Sequence, residues 1–303
     1  MSSAIVAPAD VWVLAREHPM GPRKGTRALV GTLEKIYGPR FACWHTDELL
    51  LGVRRGRLTL QTLGGADIPP PRVVLVRQAP GSMAQHRELT LLRHLEHLGA
   101  VLINPLPAHQ LCGNKMWQLQ ELASAGLPVP DSLSYATAPL SGVVRSPRVT
   151  APCVAKPVNG RNGTEVELLS DPGRLRAVAD RPAPDVPLMF QEYVAASHGR
   201  DLRVIVVDGE PVAAKIRSSR DGALASNLTR GASAELCLGR YPEGQALAVR
   251  AARTLGATIA GVDLLFTADG GHTICEVNAV PGWLPTMTTV IPAITAYVDR
   301  VLA

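Results

Sequence analysis

Apolar and polar positions along the first third of the chain follow the pattern of an α/β domain. Short apolar runs at 11–15, 72–77 and 100–104 predict strands, and Pro105 ends the last of them. Leucines at helical spacing predict a helix over 87–98. We therefore expect an α/β unit over residues 1–105.

Two further units are expected, over 106–190 and 191–303. In the first, a helix begins near Asn114 and ends before Gly126, and strands are predicted over 132–137 and 153–157. The elements expected from 189 onward are a strand at 189–194, a hairpin with strands 201–207 and 210–217, a helix over 245–255, a second hairpin over 261–278 and a helix from about 287 to 302. Helices and strands are mixed in both units, so the fold class is α/β (α+β).

The second hairpin contains candidate metal ligands. Two apolar runs flank the turn signal of Asp269 and Gly270, and a loop of these two residues places Asp263 directly across from Glu276. Because side chains alternate along a strand, Asn278 shares the face of Glu276. Like charges directly opposite each other are destabilising, and a cation relieves that cost. Three oxygen donors suit Mg²⁺. The alternative is that the carboxylates are solvated residues on an exposed face.

Basic residues in the two later units are candidates for anion binding. Lys156 ends a predicted strand beside a loop with Gly160 and Gly163, and glycines allow backbone N–H groups to approach phosphate oxygens. An ordinary turn with a solvated lysine is the alternative. Lys215 and Arg217 share one face of a predicted strand, and arginine binds carboxylate or phosphate through two hydrogen bonds.

Composition and charge narrow the function further. Hydrophobic residues make up 46% of the 303 residues, with no long apolar run, so a cytoplasmic protein without membrane segments is expected. Five scattered cysteines without a CxxC pair argue against a zinc site or disulfides. The net charge of +5 resides in 1–105, which has 13 Lys/Arg and 8 Asp/Glu, and this bias suits an acidic partner. Without basic runs interleaved with aromatics, no nucleic-acid binding is expected.

In their order, these features resemble the ATP-grasp superfamily and, within it, the RimK-like amino-acid (α-L-glutamate) ligases. The resemblance extends over roughly 104–303, whereas the first hundred residues match only in their α/β character. The motifs that carry it are Asn104-Pro105, Asn114-Lys115, Ala155-Lys156-Pro157, Gly160 with Gly163, Gln191-Glu192-Tyr193-Val194, Gly199-Arg200-Asp201, Arg217, Ser226-Asn227, Asp263 and Glu276-Val277-Asn278.

The resemblance implies an ATP-grasp fold. Residues 1–105 would form an N-terminal α/β pre-ATP-grasp domain, 106–190 a small central α+β domain, and 191–303 a C-terminal α+β domain. ATP would lie between the last two. The implied nucleotide-binding residues are Lys115, Lys156, Gly163, Gln191, Glu192, Tyr193, Val194 and Asp201. Among these, the two lysines would contact phosphates, residues 192–194 the adenine, and Asp201 the ribose.

The implied metal and catalytic residues lie later in the chain. Asp263, Glu276 and Asn278 would hold two Mg²⁺ ions, with Mn²⁺ as an alternative ion. Arg217 would stabilise the acyl-phosphate, and Asn227 would support the metal–phosphate cluster. One position departs from the family, because Ala225 stands where an arginine is frequent. A nucleotide or substrate contact is then either missing or supplied elsewhere, for which Arg220 and Arg230 are the candidates.

The implied reaction is ATP-dependent amide formation through an acyl-phosphate. An amino acid, glutamate by analogy with the family, would be added to a peptide, carrier-protein or cofactor acceptor, which the basic first unit suggests is acidic. A dipeptide or glutathione-type ligase acting on free small molecules is an alternative. A catalytically silent nucleotide-binding regulatory protein is another, which the complete set of three metal ligands disfavours. The sequence leaves the acceptor and a homo-oligomeric state open.

Overall fold

The computed structural model describes residues 5–15, 24–77, 85–159, 165–181, 184–219, 222–224 and 233–303. Within these residues it contains three sheets of four or five strands and one separate two-stranded hairpin. This architecture confirms the expected mixed α/β class. Two predicted site residues, Gly163 and Asn227, lie outside the described residues, as does Ala225.

The first sheet is parallel, in the strand order β2-β1-β5-β6. Its strands are β1 (Val11–Ala15), β2 (Phe41–His45), β5 (Val73–Val76) and β6 (Val101–Ile103). Helix α1 (Lys24–Tyr37) buries Leu29 and Leu33 against one face of the sheet, and helix α2 (Gln85–His97) buries Leu92 and Leu95 against the other. Coverage of both faces explains why the central strands are apolar at every position.

A hairpin between β2 and β5 was not predicted from the sequence. It consists of β3 (Leu49–Arg54) and β4 (Arg57–Thr62). Its loop residues, Arg55 and Gly56, have φ angles of 50° and 75°, as a type I′ turn requires. The base of the hairpin packs on the core through Leu49 and Leu60, so tertiary contacts stabilise its arginine-rich turn.

The central sheet is antiparallel, in the order β7-β10-β8-β9. Helices α3 (Leu106–Gly113) and α4 (Lys115–Ser124) precede its strands, and α5 (Leu140–Val144) and α6 (Pro172–Ala179) cover one of its faces. The strands are β7 (Ser132–Ser134), β8 (Cys153–Pro157), β9 (Glu167–Leu169) and β10 (Leu188–Glu192). The expected boundary after residue 190 therefore falls inside β10. We propose that the central unit extends to Glu192.

The third sheet is antiparallel and five-stranded, in the order β13-β12-β11-β14-β15. Its elements are β11 (Arg200–Val207), β12 (Glu210–Ser218), β13 (Ser233–Leu236), α7 (Pro242–Thr254), β14 (Ile259–Phe266), β15 (His272–Asn278) and α8 (Val290–Leu302). One face packs on α7 through residues such as Val204 and Val262. The other face is apolar at one end, where Ile205 and Ile259 contact α8 and the first unit, and polar at the other end. The polar end is thus confined between packed elements.

The β14–β15 hairpin confirms one prediction and corrects another. Asp263 does pair with Glu276. The two-residue loop is wrong, because Phe266 pairs with His272 and five residues connect the strands. Asp269 accepts a hydrogen bond from the Gly271 N–H, and Gly270 has a φ of 85°, which together favour the longer loop. An irregularity in the pairing next to Asp263 then restores the predicted register.

Asn104 connects the first unit to the third sheet. Its amide donates to the carbonyls of Ile259 and Ala279, and its Oδ1 accepts from the Ile259 N–H, each at 2.7 Å. The side chain is 1% exposed. Because these backbone groups are buried, no water replaces the amide when it is removed.

Replacing this amide is expected to destabilise the protein. Asn104→Ala leaves buried backbone groups without partners, and we expect the free energy of unfolding to fall by about 2–4 kcal/mol. Urea denaturation measures this change. Gln110→Ala removes an exposed amide from the adjacent helix and should change stability by less than about 0.5 kcal/mol. Equal effects of the two variants would contradict the connecting role.

His109 makes stability depend on pH. Burial lowers the pKa of its imidazole to about 4, and a contact with the backbone of Asn104 offsets this only in part. The unfolded chain binds the proton near pH 6.5, so the stabilising effect is present above that pH and is lost as pH falls toward 4.

Between pH 7 and 5 the wild-type protein should therefore lose about 2 kcal/mol more stability than His109→Phe, which has no titratable ring. Urea denaturation at both pH values gives the difference. Identical pH dependence of the two proteins would show that His109 does not titrate in this way.

None of the helices in the described part of the chain is both long and apolar enough to cross a membrane.

Candidate active site

The polar end of the third sheet carries a row of charged side chains across four strands. Lys215 on β12 pairs with Arg203 on β11, Arg203 pairs with Asp263 on β14, and Asp263 pairs with Glu276 on β15. Because directly paired residues point to the same face, all four side chains lie on one side of the sheet. The residues that share this site face are Asp201, Arg203, Lys215, Arg217, Asp263, Glu276 and Asn278.

Two aspartates and two arginines of the site face form a buried ion-pair network. Arg203 binds both carboxylate oxygens of Asp263, with Nη2 2.5 Å from Oδ2. Arg217 donates from Nε to Asp201 Oδ1 at 2.8 Å, contacts Asp201 Oδ2 through Nη2, and lies 3.0 Å from Asp263 Oδ1. The negative and positive groups alternate, so each charge has an opposite neighbour.

The network controls the ionisation of its members. Burial alone would raise the pKa of Asp263, but the guanidinium of Arg203, followed by that of Arg217, holds the pKa of this carboxyl below its ordinary value. Asp263 is therefore a carboxylate at neutral pH. Lys215 lies beside the network, and burial together with the charges of Arg203 and Arg217 lowers its pKa to about 8.

Lys156 lies between the central and third sheets. Its Nζ donates to Gln191 Oε1 at 2.9 Å and contacts Cys275 Sγ at 3.9 Å. Gln191 in turn donates from Nε2 to Ser132 Oγ at 3.0 Å, which fixes the orientation of its amide. Lys156 is almost fully buried, which contradicts the alternative of a solvated turn lysine.

Helix α4 positions a second lysine at the same place. Its first residue, Lys115, is buried and its N–H donates to the Val158 carbonyl at 2.8 Å. Burial lowers the pKa of Lys115, opposed by the nearby Glu276 carboxylate. One turn later, Gln118 Oε1 accepts from the Val277 N–H at 2.7 Å. This helix therefore connects the lysine to the strand that carries Glu276.

The predicted adenine segment leaves the edge of the central sheet. The Glu192 N–H donates to the Asp131 carbonyl at 2.8 Å, and the Val194 carbonyl accepts from the Ser197 N–H at 3.0 Å. Tyr193 Oη lies 2.7 Å from His198 Nδ1. Several polar groups of this segment are therefore already used in fixing its path.

The structure also shows where each other predicted residue lies. Asp201, predicted to bind ribose, directs both carboxylate oxygens to Arg217. Asn278 lies on the site face and donates to the Gly261 carbonyl at 3.3 Å. Gly261 is needed there, because a Cβ at this position would lie 2.7 Å from Pro281 Cβ and 3.0 Å from Arg203 Nη1.

The donor set of Asp263, Glu276 and Asn278 fits Mg²⁺ in chemical type. All three donors are oxygens, and Glu276 has no ion pair among the described residues. A carboxylate has about four lone-pair positions, and the two arginines use three of those on Asp263. A position on Oδ2 thus remains for a metal. No group of three or more His, Cys, Asp or Glu side chains in the described ranges is arranged to hold a metal ion, so the amide of Asn278 is needed to complete the set.

Comparison with known proteins assigns the family. A model of the RimK-like ATP-grasp domain matches residues 112–297. The chain belongs to the RimK-like ATP-grasp family. This range includes the central and third sheets and every described residue of the candidate site, which confirms the resemblance inferred from the motifs.

The chain is similar in sequence to two proteins from the mouse, Mus musculus. β-Citrylglutamate synthase B is 36% identical over 240 residues, covering 78% of this chain and 62% of the relative. N-acetylaspartylglutamate synthase A is 37% identical over 240 residues, covering 78% and 63%. The chain thus spans slightly more than three fifths of the length of these relatives.

The fold of the chain is similar to that of the ATP-grasp ligase PsnB, whose structure was solved with a minimal precursor, Mg and ADP. The TM-score is 0.69 at 20% identity, and the similarity covers 97% of this chain and 99% of PsnB. The ATP-grasp fold therefore includes the N-terminal parallel sheet, for which the sequence motifs gave no support.

Sequence reasoning missed the roles of four residues that fix the site or the sheet that carries it. Arg203 was not among the predicted site residues, although it binds Asp263 directly. Gln118 and Cys275 were not singled out as site residues, and Asn104 was noted only as part of a motif. The helical spacing of Lys115 and Gln118 on the buried face of α4 is the one signal that could have identified Gln118.

Proposed function

We propose that this protein is an ATP- and Mg²⁺-dependent carboxylate–amine ligase that adds glutamate or another amino acid to an acidic acceptor. The observation that carries the proposal is the site itself. Three oxygen donors lie on one sheet, opposite the buried Lys115 and Lys156. The charges of these two lysines suit phosphate groups. Membership of the RimK-like ATP-grasp family supports the same reaction class.

The reaction has two steps. A carboxylate oxygen of the acceptor takes the γ-phosphoryl group of ATP, giving an acyl-phosphate and ADP. The amine nitrogen of the incoming amino acid then attacks the carbonyl carbon, phosphate leaves with that carboxylate oxygen, and the amine loses a proton. Activation is needed because amide formation from a free carboxylate is unfavourable in water. The first step requires positioning and charge neutralisation more than covalent chemistry.

Each buried residue has a role in these steps. Lys115 and Lys156 bind phosphate oxygens, and Gln191 orients Lys156. Arg217 stabilises the negative charge of the acyl-phosphate and of the tetrahedral species, held in place by Asp201. Asp201 therefore orients Arg217. The ribose contact implied by the resemblance stays a prediction.

The metal ligands complete the site. Asp263, Glu276 and Asn278 hold Mg²⁺, which neutralises the phosphate charge when bound. We propose two ions, for which Mn²⁺ can substitute. Arg203 and Arg217 keep Asp263 ionised and oriented for this role.

Glutamate is proposed as the amino acid because the names of both mouse relatives contain it. The first portions of those names suggest acceptors with more than one carboxylate, such as N-acetylaspartate and citrate. PsnB, in contrast, was solved with a peptide precursor. A peptide acceptor is therefore the second candidate.

Release of ADP tests the proposal. Protein, MgATP and L-glutamate are combined with N-acetyl-L-aspartate, citrate or short acidic peptides, and ADP and product mass are measured. We expect ADP and amide in equal amounts with one acceptor class. ADP release with glutamate alone would favour a dipeptide-type ligase. Nucleotide binding without turnover for any acid would favour a silent regulatory protein and contradict the proposal.

A further inference from the structure

Lys215 is a buried cation of the site face that none of the roles above uses. The residue is only 3% exposed. Among the described residues it has no hydrogen-bond or ion-pair partner. The nearby carboxylates of Asp201 and Asp263 are bound by Arg217 and Arg203. Burial of an unpaired cation is unfavourable, so an anion that is not part of the described chain is the expected partner.

The position of Lys215 on the sheet indicates which part of the site its anionic partner occupies. Lys156 contacts Cys275 on β15, so the phosphate-binding lysines lie at that edge of the site face. Lys215 is on β12, and β11 separates β12 from β14. Strands are about 4.8 Å apart, so the backbone of Lys215 lies roughly 10 Å across the sheet from the backbone of Asp263. We therefore place Lys215 on the Arg217 side of the site face, away from the proposed metal ligands Glu276 and Asn278 on β15.

The neighbouring strand supplies no carboxylate to Lys215. Leu236 on β13 is directly paired with Lys215, and Ala234 is paired with Arg217, so both lie on the site face. Glu235 points to the opposite face and binds Arg240 at 2.5 Å. The edge of the site next to Lys215 is thus apolar and exposed, and the cation lies at its inner side. This arrangement suits the carbon chain and the carboxylate of an organic acid.

The use of lysine in this chain agrees with a specific role. Only five of its 31 Lys and Arg residues are lysines. Three of these five, at 115, 156 and 215, are buried at the site. Among the residues whose burial is described, Lys35 is the one exposed lysine, and the other exposed cations are arginines. A lysine supplies a single compact charge.

We propose that Lys215 binds a carboxylate of the acid substrate and makes the enzyme select dicarboxylic substrates over their amide or monocarboxylic analogues. The inference depends on the proposed ligase function and adds a substrate class and a specificity residue to it. The site face then divides into a metal–phosphate half on β14 and β15 and an acid-binding half on β11, β12 and β13.

Binding to matched acid and amide pairs tests this. The probes are L-glutamate against L-glutamine and N-acetyl-L-aspartate against N-acetyl-L-asparagine, measured by calorimetry with MgADP present. Wild-type protein should bind at least one acid more than about tenfold more tightly than its amide. In Lys215→Met that ratio should fall below about threefold, with MgADP affinity unchanged. Equal binding within both pairs by wild-type protein, or a ratio kept in Lys215→Met, would overturn the proposal.

A second measurement separates substrate binding from a structural role. Without substrate, Lys215→Met should melt at a higher temperature than wild type, because methionine removes a buried unpaired charge and keeps much of the volume. A lower melting temperature would show that Lys215 stabilises the fold and would overturn the proposal. Lys35→Met removes an exposed lysine and should leave both binding ratios and melting unchanged.

The failure of the proposed function would look different. Acid-selective binding that depends on Lys215 in a protein without ADP release would remove the ligase proposal and retain the acid-binding site. ADP release by a protein whose acid preference does not depend on Lys215 would retain the ligase and remove the role of Lys215.

Discussion

Glu276→Gln is expected to lower kcat by more than about 100-fold without unfolding the protein. The substitution removes the charge of a proposed metal ligand and keeps its shape. Loss of residues that merely support metal ligands costs about 10–100-fold in activity, so loss of a ligand should cost more. ADP release at saturating MgATP measures the change.

Stability is expected to be little affected, because Glu276 is only partly buried and has no ion pair among the described residues. Its free energy of unfolding should stay within about 1 kcal/mol of wild type. Glu210→Gln removes an exposed carboxylate from the same sheet and serves as the control. Wild-type turnover in Glu276→Gln would remove this residue from the metal site.

Asp263→Asn is expected to lose stability as well as activity. Its carboxylate is the partner of Arg203 and contacts Arg217, and all three side chains are buried. Breaking a buried ion pair by removing one partner leaves the other charge without compensation, so we expect a loss of about 3–5 kcal/mol in the free energy of unfolding. Urea denaturation measures it.

A double-mutant cycle shows whether the loss comes from this pair. In the double variant of Asp263→Asn and Arg203→Gln, the loss in the free energy of unfolding should be smaller than the sum of the two single losses. We expect a coupling energy of about 1–3 kcal/mol. Additive effects would contradict the direct pair. Because Asp263→Asn changes both stability and chemistry, Glu276→Gln is the cleaner test of metal binding.

The sequence predicted those parts of the site that depend on local pairing. Asp263 and Glu276 belong to adjacent strands of one hairpin, so turn signals and alternation were sufficient to place them opposite each other. The predicted loop was too short, and the irregular pairing beside Asp263 compensated for the error. The predicted pairing of Asp263 with Glu276 is therefore correct because the error in loop length and the irregular pairing cancel each other.

Contacts between distant segments could not be predicted in this way. Arg203 meets Asp263 because β11 lies next to β14, although 60 residues separate the two side chains. Asn104 binds Ile259 and Ala279 across two units. The spacing of apolar residues does not indicate which distant segments become neighbours. The ion-pair network and the connection between the units are therefore visible only in the three-dimensional structure.

The family resemblance indicates which residues to expect at the site, but not how these residues interact with each other. It predicts Arg217 and Asp201 as site residues but does not indicate that they bind each other. It did not single out Lys215, which family analogy left without a role. Its place on β12, beside Arg203 and Leu236, is the basis on which we propose it for the acid-binding half of the site.

The most direct test of the central claim follows one oxygen atom. An acceptor acid found to support ADP release is labelled with ¹⁸O in its carboxylate and converted to product, and the released phosphate is analysed by mass spectrometry. An acyl-phosphate mechanism predicts one ¹⁸O atom in each phosphate, because the phosphoryl group leaves with a carboxylate oxygen. Unlabelled phosphate, or label in AMP, would contradict an acyl-phosphate ligase.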